Sequence, residues 1–122
     1  MHRILLVDDD ELSRSTIHQM LERMGHKVMS TANGSEALQL CRDHAAELVI
    51  TDLIMPDTDG LELIQELRRS APEIRIVAIS GGGRVNANEY LTVARKFGAV
   101  AVLAKPFSNL ELREAIEQAL PG

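Results

Sequence analysis

The sequence predicts an α/β fold: a five-stranded parallel sheet, doubly wound, with helices on both faces. Three observations point there. Short apolar runs alternate with longer segments of helical period. The runs are apolar throughout rather than every second residue, as strands covered on both faces must be. The length, 122 residues, suits one layered domain with a real core and is short for two. A single domain over residues 1–122 is expected.

The strand candidates are residues 4–7, 27–30, 48–51, 74–79 and 100–104. Between them, residues 11–24, 35–44, 61–69, 88–97 and 110–120 carry apolar side chains three and four apart, the spacing of one buried helix face. Local punctuation agrees. Gly25 and Gly98 can close helices in the left-handed region, and Pro72 stops the third helix. Asn33 with Glu36, Asn86 with Glu89 and Ser108 with Glu111 each have the spacing of a reciprocal cap at a helix start. Strictly alternating units imply right-handed crossovers, and ligand chemistry then belongs at the C-terminal ends of the strands.

Composition removes several classes of function. A net charge of -5 argues against direct nucleic-acid binding, which needs Lys and Arg gathered on one face. Aromatic content is low, Tyr90, Phe97 and Phe107, so the core rests on Leu, Ile, Val, Met and Ala, and no base-stacking platform is expected. Cys41 is the one cysteine, which excludes an internal disulfide and a multi-thiolate metal site. The first apolar run is only residues 4–7 before three acids, so neither a signal peptide nor membrane insertion is expected. A cytoplasmic protein is the expectation.

The chemistry-bearing residues fall at strand ends. Asp8-Asp9-Asp10 follows the first strand and Asp52 follows the third. If those strands are parallel neighbours, their carboxylates converge, and like charges that close oppose one another's ionisation unless a cation neutralises them. A hard divalent ion such as Mg²⁺, which binds through one or two carboxylates plus phosphate oxygens, answers that need. Ser80 ends the fourth strand and Lys105 the fifth, adding a hydroxyl and a fixed positive charge. Acid cluster, cation, ammonium and hydroxyl together suit in-line phosphoryl transfer to a carboxylate.

Taken singly, each of these residues has a plainer reading. An acidic triplet is often first-turn helix charge, a lone Asp often shapes a turn, and Lys-Pro says little. Asp10 and Glu11 are read as such first-turn charges, and Asp57 and Asp59 as turn residues. His2, His18, His26 and His44 lack the mutual spacing of a metal site or a phosphohistidine relay and are read as surface or partly buried imidazoles; Cys41 is read as packing.

In combination, the residues resemble the response-regulator receiver family. The resemblance rests on Asp8-Asp9, on Thr51-Asp52-Leu53-Ile54-Met55-Pro56 with Asp59-Gly60, on Ser80 and on Lys105-Pro106-Phe107, in order and at matching spacing over nearly the whole chain. It implies a flavodoxin-like (βα)5 sheet of strand order 2-1-3-4-5. It implies Asp52 as phosphoacceptor, Asp9 as Mg²⁺ ligand, Asp8 as ligand directly or through water, and the Ile54 backbone carbonyl completing the metal site. Lys105 would contact the phosphoryl group, Ser80 would turn toward it, and the Lys105–Pro106 peptide would be cis. The implied donor is a sensor histidine kinase or a histidine phosphotransfer protein. The implied role is a switch with limited self-catalysis, not an enzyme.

Departures from the family pattern shape further expectations. Val102 stands three positions before Lys105, where an aromatic residue is usual. Ser80 is followed by Gly81-Gly82-Gly83-Arg84 in a lengthened segment, so readout through this loop and the fourth helix is expected. Ile54 and Gly82 offer no polar group near the acceptor, so slow spontaneous dephosphorylation is expected. The other readings are a receiver cut from a larger regulator with an output domain, a Mg²⁺-dependent phosphohydrolase, and a flavodoxin-like cofactor binder. The hydrolase lacks its second acid two positions after Asp52, and the cofactor binder lacks a phosphate-cradling loop after the first strand.

Overall fold

The computed structural model describes residues 1–53, 60–81 and 87–120. Every apolar run becomes a strand: β1 (Arg3–Val7), β2 (Lys27–Thr31), β3 (Leu48–Asp52), β4 (Arg75–Ser80) and β5 (Ala101–Ala104). They pair in parallel in the order β2-β1-β3-β4-β5, as the resemblance implied. Central strands carry the densest apolar runs because both faces are covered: every residue of β3 is buried, whereas edge strand β2 is only half-buried.

Successive side chains on a strand point to opposite faces, so the sheet divides its apolar residues between two cores. Leu5, Val7, Val49, Ile76 and Ala78 pack with Ala37 and Cys41 of α2 (Ala37–His44), Leu63, Ile64 and Leu67 of α3 (Gly60–Ser70) and Ala94 of α4 (Ala87–Phe97). Ile4, Leu6, Leu48, Ile50, Val77 and Ile79 pack with Ile17 and Leu21 of α1 (Glu11–Arg23) and Leu112, Ala115 and Ile116 of α5 (Asn109–Ala119). Each fully buried Leu or Ile contributes about 1.5–3 kcal/mol relative to exposure. Cys41 is a core residue, packed as expected.

Helix ends follow the punctuation with one exception. Asp10 caps α1 by accepting the Ser13 amide at 2.8 Å, and Gly25 follows it at φ 93°. Gly98 ends α4 at φ 128°, and Ser108 with Glu111 forms the full reciprocal cap of α5. Asn33 and Glu36 do not form such a pair. The chain enters a 3-10 turn, Gly34–Glu36, whose tighter winding brings Ser35 rather than Glu36 to the cap: Asn33 accepts the Ser35 amide at 3.0 Å. Glu36 instead accepts the Thr31 hydroxyl at 3.3 Å. The third proposed cap begins at Asn86, outside the described residues.

All strands run the same way, but the order in which they are added reverses between β1 and β3: β1 leads outward to β2 on one side, and β3 leads to β4 on the other. Such a switch point opens a crevice beyond the strand C-termini, and there the site is built.

Candidate phosphoacceptor site

The register that aligns Val7 of β1 with Thr51 of β3 brings the residues following them, Asp8 and Asp52, to one crevice. Both are buried, at 1% and 6% exposure, while Asp9 is exposed. One carboxylate oxygen from each of Asp8, Asp9 and Asp52 lies within 4.8 Å of the other two. At such a separation two buried carboxylates repel by roughly 3 kcal/mol for an effective dielectric near 20, so the cluster needs positive charge.

Lys105 supplies part of it. Its amide donates to the Ser80 carbonyl at 2.9 Å, fixing the end of β5 against β4, and the Lys105–Pro106 peptide is cis as expected. Its Nζ lies 3.0 Å from Asp8 Oδ2 and 3.1 Å from Asp52 Oδ2. Burial alone would lower the lysine pKa; the charges of Asp52 and Asp8 outweigh it, and the net shift is upward, which keeps the ammonium protonated. Three carboxylates against one ammonium leave two negative charges on an all-oxygen donor set, which fits a hard divalent cation.

Ser80, the last residue of β4, is 1% exposed, and its Oγ has no hydrogen-bond partner among the described residues. Leaving a buried hydroxyl unpaired costs about 1–3 kcal/mol, a cost that an acceptor oxygen within its reach would remove. Thr51, equally buried, is satisfied locally by donating to the Asp52 carbonyl at 3.0 Å. Gly60 closes the site from below: a Cβ there would lie 2.5 Å from Leu53 Cα and 2.6 Å from the Asp52 carbonyl oxygen. The structure thus brings Asp8, Asp9, Asp52, Ser80 and Lys105 together. Ile54, Asp57, Asp59, Gly82, Gly83 and Arg84 lie outside the described residues.

The family profile described as response regulator receiver domain matches residues 4–117. The chain belongs to this family. Receiver domains act in two-component signalling as phosphoacceptor switches and generally bind Mg²⁺ at an acidic pocket. This receiver is 38% identical over 119 residues to the DNA-binding transcriptional regulator NtrC of Azospirillum brasilense, covering 96% of this chain but only 24% of that one. It is 28% identical to sporulation initiation phosphotransferase F of Bacillus subtilis (strain 168), covering 98% and 94% of the two chains. The receiver domain of NtrX from Brucella abortus superposes with a TM-score of 0.88 at 33% identity, covering 96% and 97%.

Other details of this receiver were not visible in the sequence. Val102, in place of the usual aromatic, is half-buried against the α2–α3–α4 core. Ser13 of α1 reaches back to Asp8 Oδ2 at 2.7 Å, a contact that five-residue spacing at a helix start alone does not announce. At the opposite end of the sheet, His2 and His26 stack with ring centroids 5.6 Å apart, and His2 Nδ1 lies 3.2 Å from Glu47 Oε2. Among the described residues, no helix is long and apolar enough to cross a membrane.

Proposed function

We propose that residues 1–122 act as one receiver domain in which Asp52 accepts a phosphoryl group from a phosphohistidine, and that partner binding follows the change in charge. The observation that carries this is the meeting of Asp52 with Lys105 Nζ at 3.1 Å beside the acidic cluster and the Ser80 hydroxyl, which has no partner among the described residues. An Asp52 oxygen attacks phosphorus, the bond from phosphorus to the donor imidazole nitrogen breaks, and that nitrogen keeps the electron pair. Lys105 follows the negative charge from carboxylate to phosphoryl oxygen, and the Ser80 hydroxyl gains an acceptor. Asp8, Asp9, Asp52 and the Ile54 carbonyl would hold Mg²⁺. When bound, it neutralises phosphoryl oxygens that would otherwise meet the carboxylates as like charge.

The proposed donor is a sensor histidine kinase or a histidine phosphotransfer protein. A groove of about 660 Å³ beside the site supports this reading: Leu12, Ser13 and Thr16 of α1 line one wall, and Gly81, Lys105 and Phe107 line the other. Leu12 is 76% exposed there, an apolar handle for a helical donor next to the acceptor. The phosphotransferase among the relatives, matched over nearly its full length, is consistent with such a relay. A cytoplasmic setting is proposed with it. The chain acts as a switch whose self-catalysis is limited, with slow phosphate loss because Ile54 and Gly82 offer water no polar guide.

The test is intact-mass analysis after incubation with acetyl phosphate. One phosphoryl group should add to the wild type with Mg²⁺ present, and none without Mg²⁺ or in Asp52→Asn. Equal labelling of Asp52→Asn contradicts the assignment.

A further inference from the structure

Ser13 donates its hydroxyl proton to Asp8 Oδ2 at 2.7 Å, and Lys105 Nζ donates to the same oxygen at 3.0 Å. A carboxylate oxygen offers two acceptor positions, so Oδ2 is fully engaged. Oδ1 accepts the Asp10 amide at 3.0 Å. Among the described residues, Asp8 therefore retains one open lone pair, on Oδ1. The Ser13 hydroxyl is not needed to start α1, because Asp10 Oδ2 accepts the Ser13 amide at 2.8 Å and caps the helix by itself. Backbone and side chain of Ser13 thus serve separate purposes, and only the side chain reaches the crevice.

We infer that Ser13 is a positioning residue: its hydroxyl holds Asp8 with the remaining Oδ1 lone pair turned to the cation site, and so sets how tightly the acidic cluster holds Mg²⁺. This rests on reading Asp8, Asp9 and Asp52 as that site. Without the hydroxyl, the Asp8 carboxylate loses one of its three donors and must give up rotational freedom when it takes a metal. Partners in the outer shell of a metal site change its affinity by about 10–100-fold when removed. Ser13→Ala keeps the amide that Asp10 caps and introduces the best helix former, so α1 is retained.

The test is calorimetric titration of the unphosphorylated protein with Mg²⁺, comparing wild type with Ser13→Ala, Ser13→Thr and Ser13→Val. Binding should weaken about tenfold in the Ala and Val variants and return to within about twofold of wild type in Thr, which restores the hydroxyl on the shape of Val. Wild-type affinity in Ser13→Ala overturns the inference and leaves the cation site standing. Equal weakening in Thr and Val overturns it too, because side-chain shape rather than hydrogen bonding would then matter. Failure of the wild type to bind Mg²⁺ overturns the reading of the acidic cluster itself, and this inference with it.

Discussion

Lys105 and Asp52, 53 positions apart in the chain, meet at 3.1 Å through the ammonium and Oδ2, and the same ammonium spans to Asp8 at 3.0 Å. One lysine thereby ties together the C-terminal ends of β1, β3 and β5. Its removal takes away the ammonium that the two buried carboxylates share.

Lys105→Ala should lower the stability of the metal-free protein by about 1–3 kcal/mol. Mg²⁺ should then raise its thermal midpoint by more than it raises that of the wild type, because the cation replaces the missing charge. Thermal denaturation with and without Mg²⁺ checks both statements. An equal response of the two proteins to Mg²⁺ contradicts the pairing.

Gly60→Ala should destabilise the fold and impair labelling of Asp52 together. The added Cβ would meet backbone, Leu53 Cα at 2.5 Å and the Asp52 carbonyl at 2.6 Å, so no side-chain rotation relieves it. Overpacking of this kind costs about 1–3 kcal/mol. Urea denaturation and acetyl phosphate labelling of one preparation should both show the loss; wild-type values in both contradict it.

Ala45 ends α2 in the left-handed region at φ 51°, where an L side chain costs about 1–2 kcal/mol. Ala45→Gly removes that cost, though it also enlarges the entropy of the unfolded chain by about 0.4–1 kcal/mol. A net gain near 0.5 kcal/mol is expected from those opposing terms, measured as a higher urea midpoint. A lower midpoint contradicts it.

His26 gives the fold a pH dependence of definite sign. Burial first, then the positive charge of His2 and of the N-terminus, hold its pKa below the ordinary 6.5 against an upward pull from Glu47. Its Nδ1 also accepts the His2 amide at 3.1 Å, which protonation would end. The unfolded chain binds this proton more readily, so the contribution is complete above pH 6.5 and is lost as pH falls below it. The urea midpoint of the wild type should fall more between about pH 7.5 and about pH 5 than that of His26→Gln. Parallel profiles contradict this.

Much of the fold was legible because the central strands are apolar without interruption, and residues 48–51 could hardly lie anywhere but between two helical layers. Gly25 and Gly98 announced their positive φ angles. Ala45 did not, since it takes a glycine conformation without being one; Arg3 Nε donates to its carbonyl at 2.9 Å from across the sheet edge. Asn33 and Glu36 had the right spacing for a cap, but the 3-10 winding that separates them depends on how α2 docks. At the site, Asp8, Asp52, Ser80 and Lys105 were found because strand ends in a parallel sheet converge. Ser13 was not found, because a serine at a helix start looks alike whether its hydroxyl meets water or a carboxylate. The His2–His26 stack joins two chain segments whose pairing only the β1–β2 register reveals.

The most direct measurement is to locate the phosphoryl group. After labelling with acetyl phosphate and Mg²⁺, borohydride reduction converts an aspartyl phosphate to homoserine, which peptide mass spectrometry assigns to a position. Homoserine at position 52 alone, absent when Mg²⁺ is withheld, is the expected result. Homoserine at position 8 or 9, or labelling of the wild type with none at 52, contradicts Asp52 as the acceptor.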